Sequence, residues 1–403
     1  MGQGQTRLRL RALELLKEKG PQSRAELSRS LAVSRSTISS LIAELLAEDV
    51  VVDLGDDPLG TKQAGRPGVR VGLKAPQGYF VGIDFGRLRI NVAIADANYR
   101  IIDQLSCDFD IDIAAETALD LAAESVETLI AHTAIDRRAI HAVGVGVPGP
   151  VDAATGMLHA GSILASWVGA DVPGGLSRRL GLPVYMDNDA NLGALAESVY
   201  GAAVGTKVTL YVLLSYGVGL GIVINGQVFR GSSGIAGELG HIVTDEHGPL
   251  CRCGSRGCLE ARVSILALAK ALGTSHGAVS PDEMLRLAGE GSTGASRIVA
   301  DAGVMVGRSI GDLCNYFNPE LVLIGGELMR AGETLLNPLK DAMRRYSIAR
   351  ATERVKVMPG ALGEQAEIIG TILFAGEQSF KAMAGKSGTS APAAARTVLQ
   401  GSD

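Results

Sequence analysis

The sequence predicts an α/β protein of two lobes enclosing a cleft, preceded by a small helical domain that ends in a β-hairpin. Three observations carry this prediction. Apolar residues recur at helical spacing up to about residue 47 and at strand spacing, interleaved with helices, beyond residue 79. An order of three strands, a helix and further αβ units is then given twice. Charge is also divided: residues 1–40 hold 8 basic against 3 acidic side chains, although the whole chain carries −5. A basic end on an acidic body suits an anionic partner at that end alone. At 403 residues the chain exceeds what one core usually serves. With 46% apolar and 20% charged residues, it is neither disordered nor fibrous.

The first domain is expected over residues 1–75. Leu8, Ala12, Leu15 and Leu16 define an amphipathic helix that stops at Gly20-Pro21. Ser23-Arg24-Ala25-Glu26 is a capping box opening a second helix through Leu31. After a brief turn, Ser34 is a plausible N-cap for a third helix with the stripe Ile38, Leu41, Ile42, Leu45 and Leu46. Its other face carries Arg35, Ser36, Thr37, Ser39 and Ser40, which are basic or small and free of acid. Two β-rich stretches, Val50–Leu54 and Val69–Leu73, flank a loop with Lys62 and Gly65-Arg66-Pro67-Gly68. This is the order of a winged helix-turn-helix. Such a module needs a slim third helix whose first turns reach base edges in a major groove. Arg35, Ser36, Thr37 and Ser40 are therefore the expected DNA contacts, with Lys62 on phosphate and Arg66 reaching a minor groove. A packing domain with a solvated polar face, and an ordinary Gly-Arg-Pro loop, are the bland alternatives.

In the body, Phe80–Asp84, Ile90–Ala95 and Ile101–Ile113 read as consecutive strands, followed by a helix over about Ala114–Thr133. A buried strand, Ala142–Val147, ends at Pro148-Gly149-Pro150. Val208–Leu214 and Gly221–Ile224 repeat the strand pattern, and Asn225-Gly226 is a type I′ hairpin signal before Gln227-Val228-Phe229. Leu321–Ile324 then runs into Gly325-Gly326. The apolar run Val208–Ile224 is broken by Ser215 and three glycines, so it fits two strands better than a membrane span. The interleaved arginines Arg7, Arg9 and Arg11 suit no signal peptide, and five cysteines with three between Cys251 and Cys258 suit no secreted disulfide framework. A cytoplasmic protein without a membrane partner is expected.

Those three thiols, in Cys251-Arg252-Cys253-Gly254-Ser255-Arg256-Gly257-Cys258, follow His241 and together give Zn²⁺ four soft or borderline ligands in a closed tetrahedral site. Reduced cysteines without metal are the alternative. Cys107 and Cys314 read as ordinary core residues. After the strand Pro183–Met186 comes Asp187-Asn188-Asp189-Ala190-Asn191, where either aspartate could cap the helix Ala190–Val199. Ile235-Ala236-Gly237-Glu238-Leu239-Gly240-His241 leads into the cysteine cluster.

On these motifs, from about Gln77 to Phe380, the chain resembles the ROK family (repressors, open reading frames, kinases). With its N-terminal module it resembles the family's transcriptional regulators. The resemblance covers about nine-tenths of the chain. It implies an actin-like, hexokinase-type body: a small lobe at 76–189 completed by a C-terminal helix at about 364–381, and a large lobe with the zinc site at 190–363. The stretch 382–403, rich in Ala, Gly, Ser, Thr and Pro, reads from its composition as a disordered tail. The resemblance also implies sugar contacts at Asn188, Asp189, Glu238, His241 and Glu260, Asp189 standing where the kinases keep their general base. Carboxylates such as Glu238 and Glu260 can accept from vicinal hydroxyls. A zinc-bound His241 has a fixed ring plane and a second nitrogen for a hydroxyl.

The resemblance fails at the phosphate loops. Family kinases carry Asp-x-Gly-Gly-Thr-Lys, and here Asp84-Phe85-Gly86-Arg87-Leu88-Arg89 places bulk at the second Gly and removes the hydroxyl. Their Gly-Thr-Gly-x-Gly-Gly-Gly corresponds to Ser215-Tyr216-Gly217-Val218-Gly219-Leu220-Gly221. The expectation is a sugar-responsive transcriptional regulator, a homodimer or homotetramer on operator DNA, with no catalytic residue in use. An active sugar kinase with a DNA-binding arm, or a regulator governed by a protein partner over a vestigial cleft, are the alternatives. Leu164, Trp167 and Val168 line the cleft mouth or pack in the core.

Overall fold

The computed structural model describes residues 8–9, 11–13, 15–16, 19–47, 50–54, 69–73, 78–152, 155–158 and 164–386. Lys62, Arg66 and the stretch 387–403 lie outside the described residues. The chain forms two compact units, one of residues 1–77 with 378–403 and one of residues 78–377.

In the smaller unit, the described residues between 8 and 19 are helical, and helices Arg24–Leu31 and Arg35–Ala47 follow. The capping box forms in full: Glu26 N donates to Ser23 Oγ at 3.3 Å and Ser23 N to Glu26 Oε2 at 2.7 Å. Those bonds hold the Glu26 carboxyl below its ordinary pKa. Ala12, Leu13, Leu16, Leu27, Ile38 and Ile42 make the core, joined at its edge by Phe380. The hairpin strands β2 (Val51–Asp53) and β3 (Arg70–Leu73) are antiparallel, and a short strand β1 (Gln22–Ser23) pairs with β3 as well. That third strand was not apparent from the sequence, because two residues carry no periodicity.

The larger unit holds two five-stranded sheets on one plan. In the first, β4 (Tyr79–Phe85), β5 (Arg89–Asp96) and β6 (Ile101–Asp108) are successive antiparallel neighbours. Strand β7 (Ile140–Val147) then pairs parallel with β4, and β8 (Val184–Asn188) parallel with β7. In the second, β9 (Val208–Leu214), β10 (Val218–Ile224) and β11 (Gln227–Val228) form the antiparallel part. Strands β12 (Leu321–Gly325) and β13 (Lys356–Pro359) continue it in parallel. Orders β6-β5-β4-β7-β8 and β11-β10-β9-β12-β13 thus repeat both sequence and direction. The central strands are buried along nearly their whole length, whereas β6 alternates, as an edge strand covered on one face does.

Two boundaries differ most from the sequence reading. The predicted strand Ile101–Ile113 ends at Asp108, after which Phe109 N and Ile111 N donate to the carbonyls of Leu88 and Arg87, both at 3.0 Å. The alternation persists because pairing continues on a loop. The closing helix runs over Ala366–Lys386, past residue 382 where a tail was expected. Ala, Met and Lys there are good helix formers, and Phe380 has an apolar core to bury in.

Candidate functional site

Strand β8 delivers Asp187 and Asn188 to the start of helix Asp189–Val199. Neither aspartate is the cap. Asn188 is, accepting from Asn191 N at 3.2 Å while its Nδ2 donates to Gly149 O at 3.2 Å. Buried Asp187 has a scaffold role instead: it accepts from Asn188 N at 2.8 Å and Asn191 Nδ2 at 3.2 Å, and pairs with Arg230 at 2.5 Å. Asp189 is left lining an open cleft. Burial pushes the Asp189 carboxyl well above its ordinary pKa, and the charges of Asp84, Glu238 and Glu260 add to it.

Glu238, His241 and Glu260 line the same cleft as Asn188 and Asp189. Glu238 sits before the turn Leu239–His241, and Gly237 takes φ +103° there. At Gly237 a Cβ would collide with Leu220 O, so only glycine brings this loop against β10. Glu260 Oε2 accepts from Val218 N at 3.0 Å, which orients it across the cleft. Glu238 is raised by burial, offset by His241 and reinforced by Glu260.

His241 has two partners on two sides. Its Nε2 lies 3.8 Å from Glu238 Oε2, and its Nδ1 lies 3.6 Å from Cys251 Sγ. Cys253 Sγ and Cys258 Sγ are 3.6 Å apart, and the four candidate ligand atoms all fall within 4.8 Å of one another. A tetrahedron with ~2.3 Å metal–sulfur and ~2.0 Å metal–nitrogen bonds has edges of about 3.8 Å between sulfurs and about 3.5 Å between sulfur and nitrogen. His241, Cys251, Cys253 and Cys258 are therefore spaced to hold one metal ion, with the far imidazole nitrogen turned toward the cleft. Cys107 is partly buried on β6 and Cys314 buried in helix Thr293–Phe317.

At the phosphate-loop end, Arg87 lines the cleft and donates to Asp112 Oδ2 at 2.7 Å. Arg252, between two of the cysteines, meets the same carboxylate at 3.3 Å. Behind them Asp84 is buried, its pKa raised to about 6 by desolvation and the charge of Glu327, against a hydrogen bond from Asn91 at 3.2 Å. Glu367, hydrogen-bonded by Tyr211 at 2.7 Å, is raised to about 8 by burial and by Asp84. Sequence reading passed over Asp112, Arg230, Arg252 and Glu367, whose partners are distant in the chain and bear no local pattern. Of the three residues proposed for the cleft mouth, Leu164 lines it, Val168 is exposed, and Trp167 is core, donating to Ile111 O at 2.9 Å.

In the smaller unit, Arg35, Ser36, Thr37 and Ser40 are all exposed on helix Arg35–Ala47, while Ile38, Leu41, Ile42 and Leu45 are buried. Ser34 Oγ accepts from Thr37 N at 3.1 Å and exchanges hydrogen bonds with the hydroxyls of Ser36 at 2.8 Å and Thr37 at 2.7 Å. The first turn of that helix thus presents preordered hydroxyls beside one guanidinium.

Residues 5–52 match winged helix-turn-helix DNA-binding domains, and residues 80–378 match the ROK family. The xylose repressor of Bacillus subtilis is 29% identical over 357 residues, 89% of this chain and 91% of its own. The glucokinase of Thermotoga maritima is 29% identical over 310 residues, covering 73% of this chain and 96% of its own. The shorter span of the kinase match fits a body without the N-terminal domain. A crystal structure of a ROK-family transcriptional regulator, a homologue of the Escherichia coli Mlc protein, superposes with a TM-score of 0.78 at 24% identity, over 94% of this chain and 97% of that one. The body therefore has the actin-like, hexokinase-type fold. Two sheets on one plan, an adjoining helix-turn-helix and a match over most of the length agree: the chain belongs to the ROK family.

Proposed function

We propose that the chain is a sugar-responsive DNA-binding repressor whose kinase-like body senses and does not phosphorylate its ligand. The observation that carries this reading is the cleft itself. Asn188, Asp189, Glu238, His241 and Glu260 converge there, while Arg87 stands where phosphoryl transfer needs a close backbone approach. Carboxylates and an imidazole offer vicinal hydroxyls the paired acceptors and donors that sugars bind. Relatives named as repressors, matched along nine-tenths of the chain, support the DNA-binding half.

Zn²⁺ is the ion we assign to His241, Cys251, Cys253 and Cys258, and with four protein ligands it would fix the loop and leave no open position for water. His241 then holds one nitrogen toward the ion and the other toward Glu238 and the ligand. Operator contacts are assigned to Arg35, Ser36, Thr37 and Ser40, and, outside the described residues, to Lys62 and Arg66. Paired copies on a palindromic site, as a dimer or dimer of dimers, fit half-sites roughly 34–36 Å apart or multiples thereof. The ligand acts through its unequal affinity for DNA-competent and incompetent states.

The test is release. Operator fragments selected by the full chain are followed by fluorescence anisotropy while glucose, N-acetylglucosamine, mannose and xylose are added. One sugar is expected to weaken the complex at least tenfold, and Asp189→Asn to abolish that response. A coupled ADP assay with Mg-ATP and the same sugars is expected to stay silent; turnover that Asp189→Asn abolishes would instead make the chain a kinase.

A further inference from the structure

The three sulfurs of the cysteine loop are unequally placed. Cys251 is 5% exposed and Cys258 fully buried, whereas Cys253 is exposed at the tip of the loop. Its neighbours Arg252, Gly254, Ser255 and Arg256 are exposed as well. Beneath the tip, Cys251 N donates to Ser255 O at 2.8 Å and Gly254 N to Cys251 O at 3.0 Å, which turns the chain back on itself. Cys253 Sγ then lies 3.6 Å from Cys258 Sγ. Gly254 takes φ +90°, with open space around the position of a Cβ. The tip therefore has room to carry its sulfur the further ~1.5 Å that an S–S bond of about 2.05 Å requires.

The remaining thiols are sheltered. Cys314 is buried in helix Thr293–Phe317, and Cys107, partly buried on β6, donates to Ile90 O at 3.8 Å. No cysteine lies in residues 1–77 or 378–403, the smaller unit. An oxidant arriving from solvent thus meets Cys253 first, and that sulfur has a second one in contact.

We propose that Cys253 and Cys258 are a peroxide-sensitive pair, and that their oxidation to a disulfide deafens the cleft while the smaller unit keeps its hold on DNA. The inference rests on the metal assignment and the sugar reading above. A cysteine that serves a metal is a thiolate, the form that attacks peroxide. The Cys253 thiolate attacks one oxygen of hydrogen peroxide, the O–O bond breaks, and a sulfenic acid forms as hydroxide leaves. The Cys258 thiolate attacks that sulfur, the S–O bond breaks, and a second hydroxide departs. The two sulfurs lose two electrons, the two peroxide oxygens gain them, and two protons from solvent turn the hydroxides into water. Only His241 and Cys251 are left of the four ligands a closed site needs. His241 and Arg252, which line the cleft, lose the anchor that places them.

The test treats zinc-loaded full chain with rising hydrogen peroxide and follows metal release, dimedone trapping of sulfenic acid and peptide mapping together. One ion per chain is expected to leave as two of the five thiols disappear, with dimedone on Cys253 and a Cys253–Cys258 bridge in the peptides. Dithiothreitol with zinc should reverse both. Peroxide should keep operator affinity within about threefold and raise the sugar concentration needed for release at least tenfold. Cys253→His preserves a zinc-binding set of two thiolates and two imidazoles, and should release its ion at least ten times more slowly. A Cys107→Ser, Cys314→Ala double variant should respond as the parent does. An ion retained at peroxide doses that oxidise Cys107, dimedone on Cys251 or Cys258 first, or a bridge between two chains would overturn the pair. Where Cys253→His binds no zinc, the peptide map of the parent decides alone. Operator binding lost in step with the thiols would overturn the deafening and leave the modification site. Chain purified without zinc would remove the metal assignment and the switch together, whereas a sugar response absent before peroxide would remove the sugar reading and leave the pair to its map.

Discussion

Burial pushes Asp84, Asp189 and Glu367 all above the ordinary carboxyl pKa, and charge then adds to it: Asp84 raises both Asp189 and Glu367, and Asp189 raises Glu367 further. Such a group titrates as a set, because a second or third ionisation meets the charge of the first. Asp84 moves from the ordinary 3.8 to about 6, so the folded state binds more protons than the unfolded chain between those values. Stability therefore falls as pH rises through about 4 to 6, by up to roughly 2–3 kcal/mol at 1.36 kcal/mol per unit, and stays low above it. Asp84→Asn keeps an acceptor for Asn91 and removes the charge. Its urea midpoint is expected above that of the parent at pH 8 and close to it at pH 4.5; equal differences at both would refute the account. At the other unit, Arg35 is exposed in the first turn of its helix beside the Ser34–Thr37 hydroxyl cluster. Arg35→Ala should weaken operator binding by about 1–3 kcal/mol if it reads a base, with selectivity lost at one position, or lower the salt slope by about one if it meets phosphate. Binding isotherms at several salt concentrations, on the operator and on single-base variants, separate the two.

Among the elements, helices Thr293–Phe317 and Glu333–Arg345 pack by a stripe of small residues. At Gly307 an added Cβ would strike Leu339 O and come within 2.9 Å of Ala342 Cβ. Gly307→Val should destabilise by about 1–3 kcal/mol or more, a loss of several degrees in Tm, since neither helix backbone can yield without moving its neighbours. Gly273 lies in helix Ile265–His276 with open space where its Cβ would be, so Gly273→Ala should stabilise by about 0.5–1 kcal/mol. A melt in which both variants move the same way would contradict this division. The contrast also marks what the sequence could disclose. The capping box at Ser23 and Glu26 was legible because its partners are three residues apart, and the repeated strand order because each strand announces its own burial. The role of Gly307 was not, since the carbonyl that excludes a side chain belongs to another helix. Asn188 as cap was missed for a related reason: three neighbouring residues could all have capped, and Arg230, remote in sequence, decides by taking Asp187.

Across the whole molecule, the chemistry of the cleft was easier to read than its electrostatics. Thiols and an imidazole clustered in sequence must cluster in space, so His241 and Cys251, Cys253 and Cys258 were visible from their spacing; the arginines that flank them depend on which loops the two sheets bring together. The same arrangement makes a prediction about the complete chain. The metal-site loop is closed on itself by single bridges, Val243 to Cys258 and Leu250 to Arg256, and Leu250 and Val243 are exposed. The core of the smaller unit, around Leu13, Leu27, Ile38 and Ile42, contains none of these residues. Loss of the ion therefore frees His241 and Arg252 while leaving the DNA-binding core its own contacts. Purified chain should carry about one zinc by mass spectrometry, and Cys251→Ser should carry less than a tenth of that. In either Cys251→Ser or chelator-treated protein, operator affinity should stay within about threefold, whereas the sugar concentration needed for release should rise at least tenfold. If operator binding and sugar response decay together as the ion is withdrawn, the cluster holds the whole chain in shape, and its place as the orienting support of the cleft has to be given up.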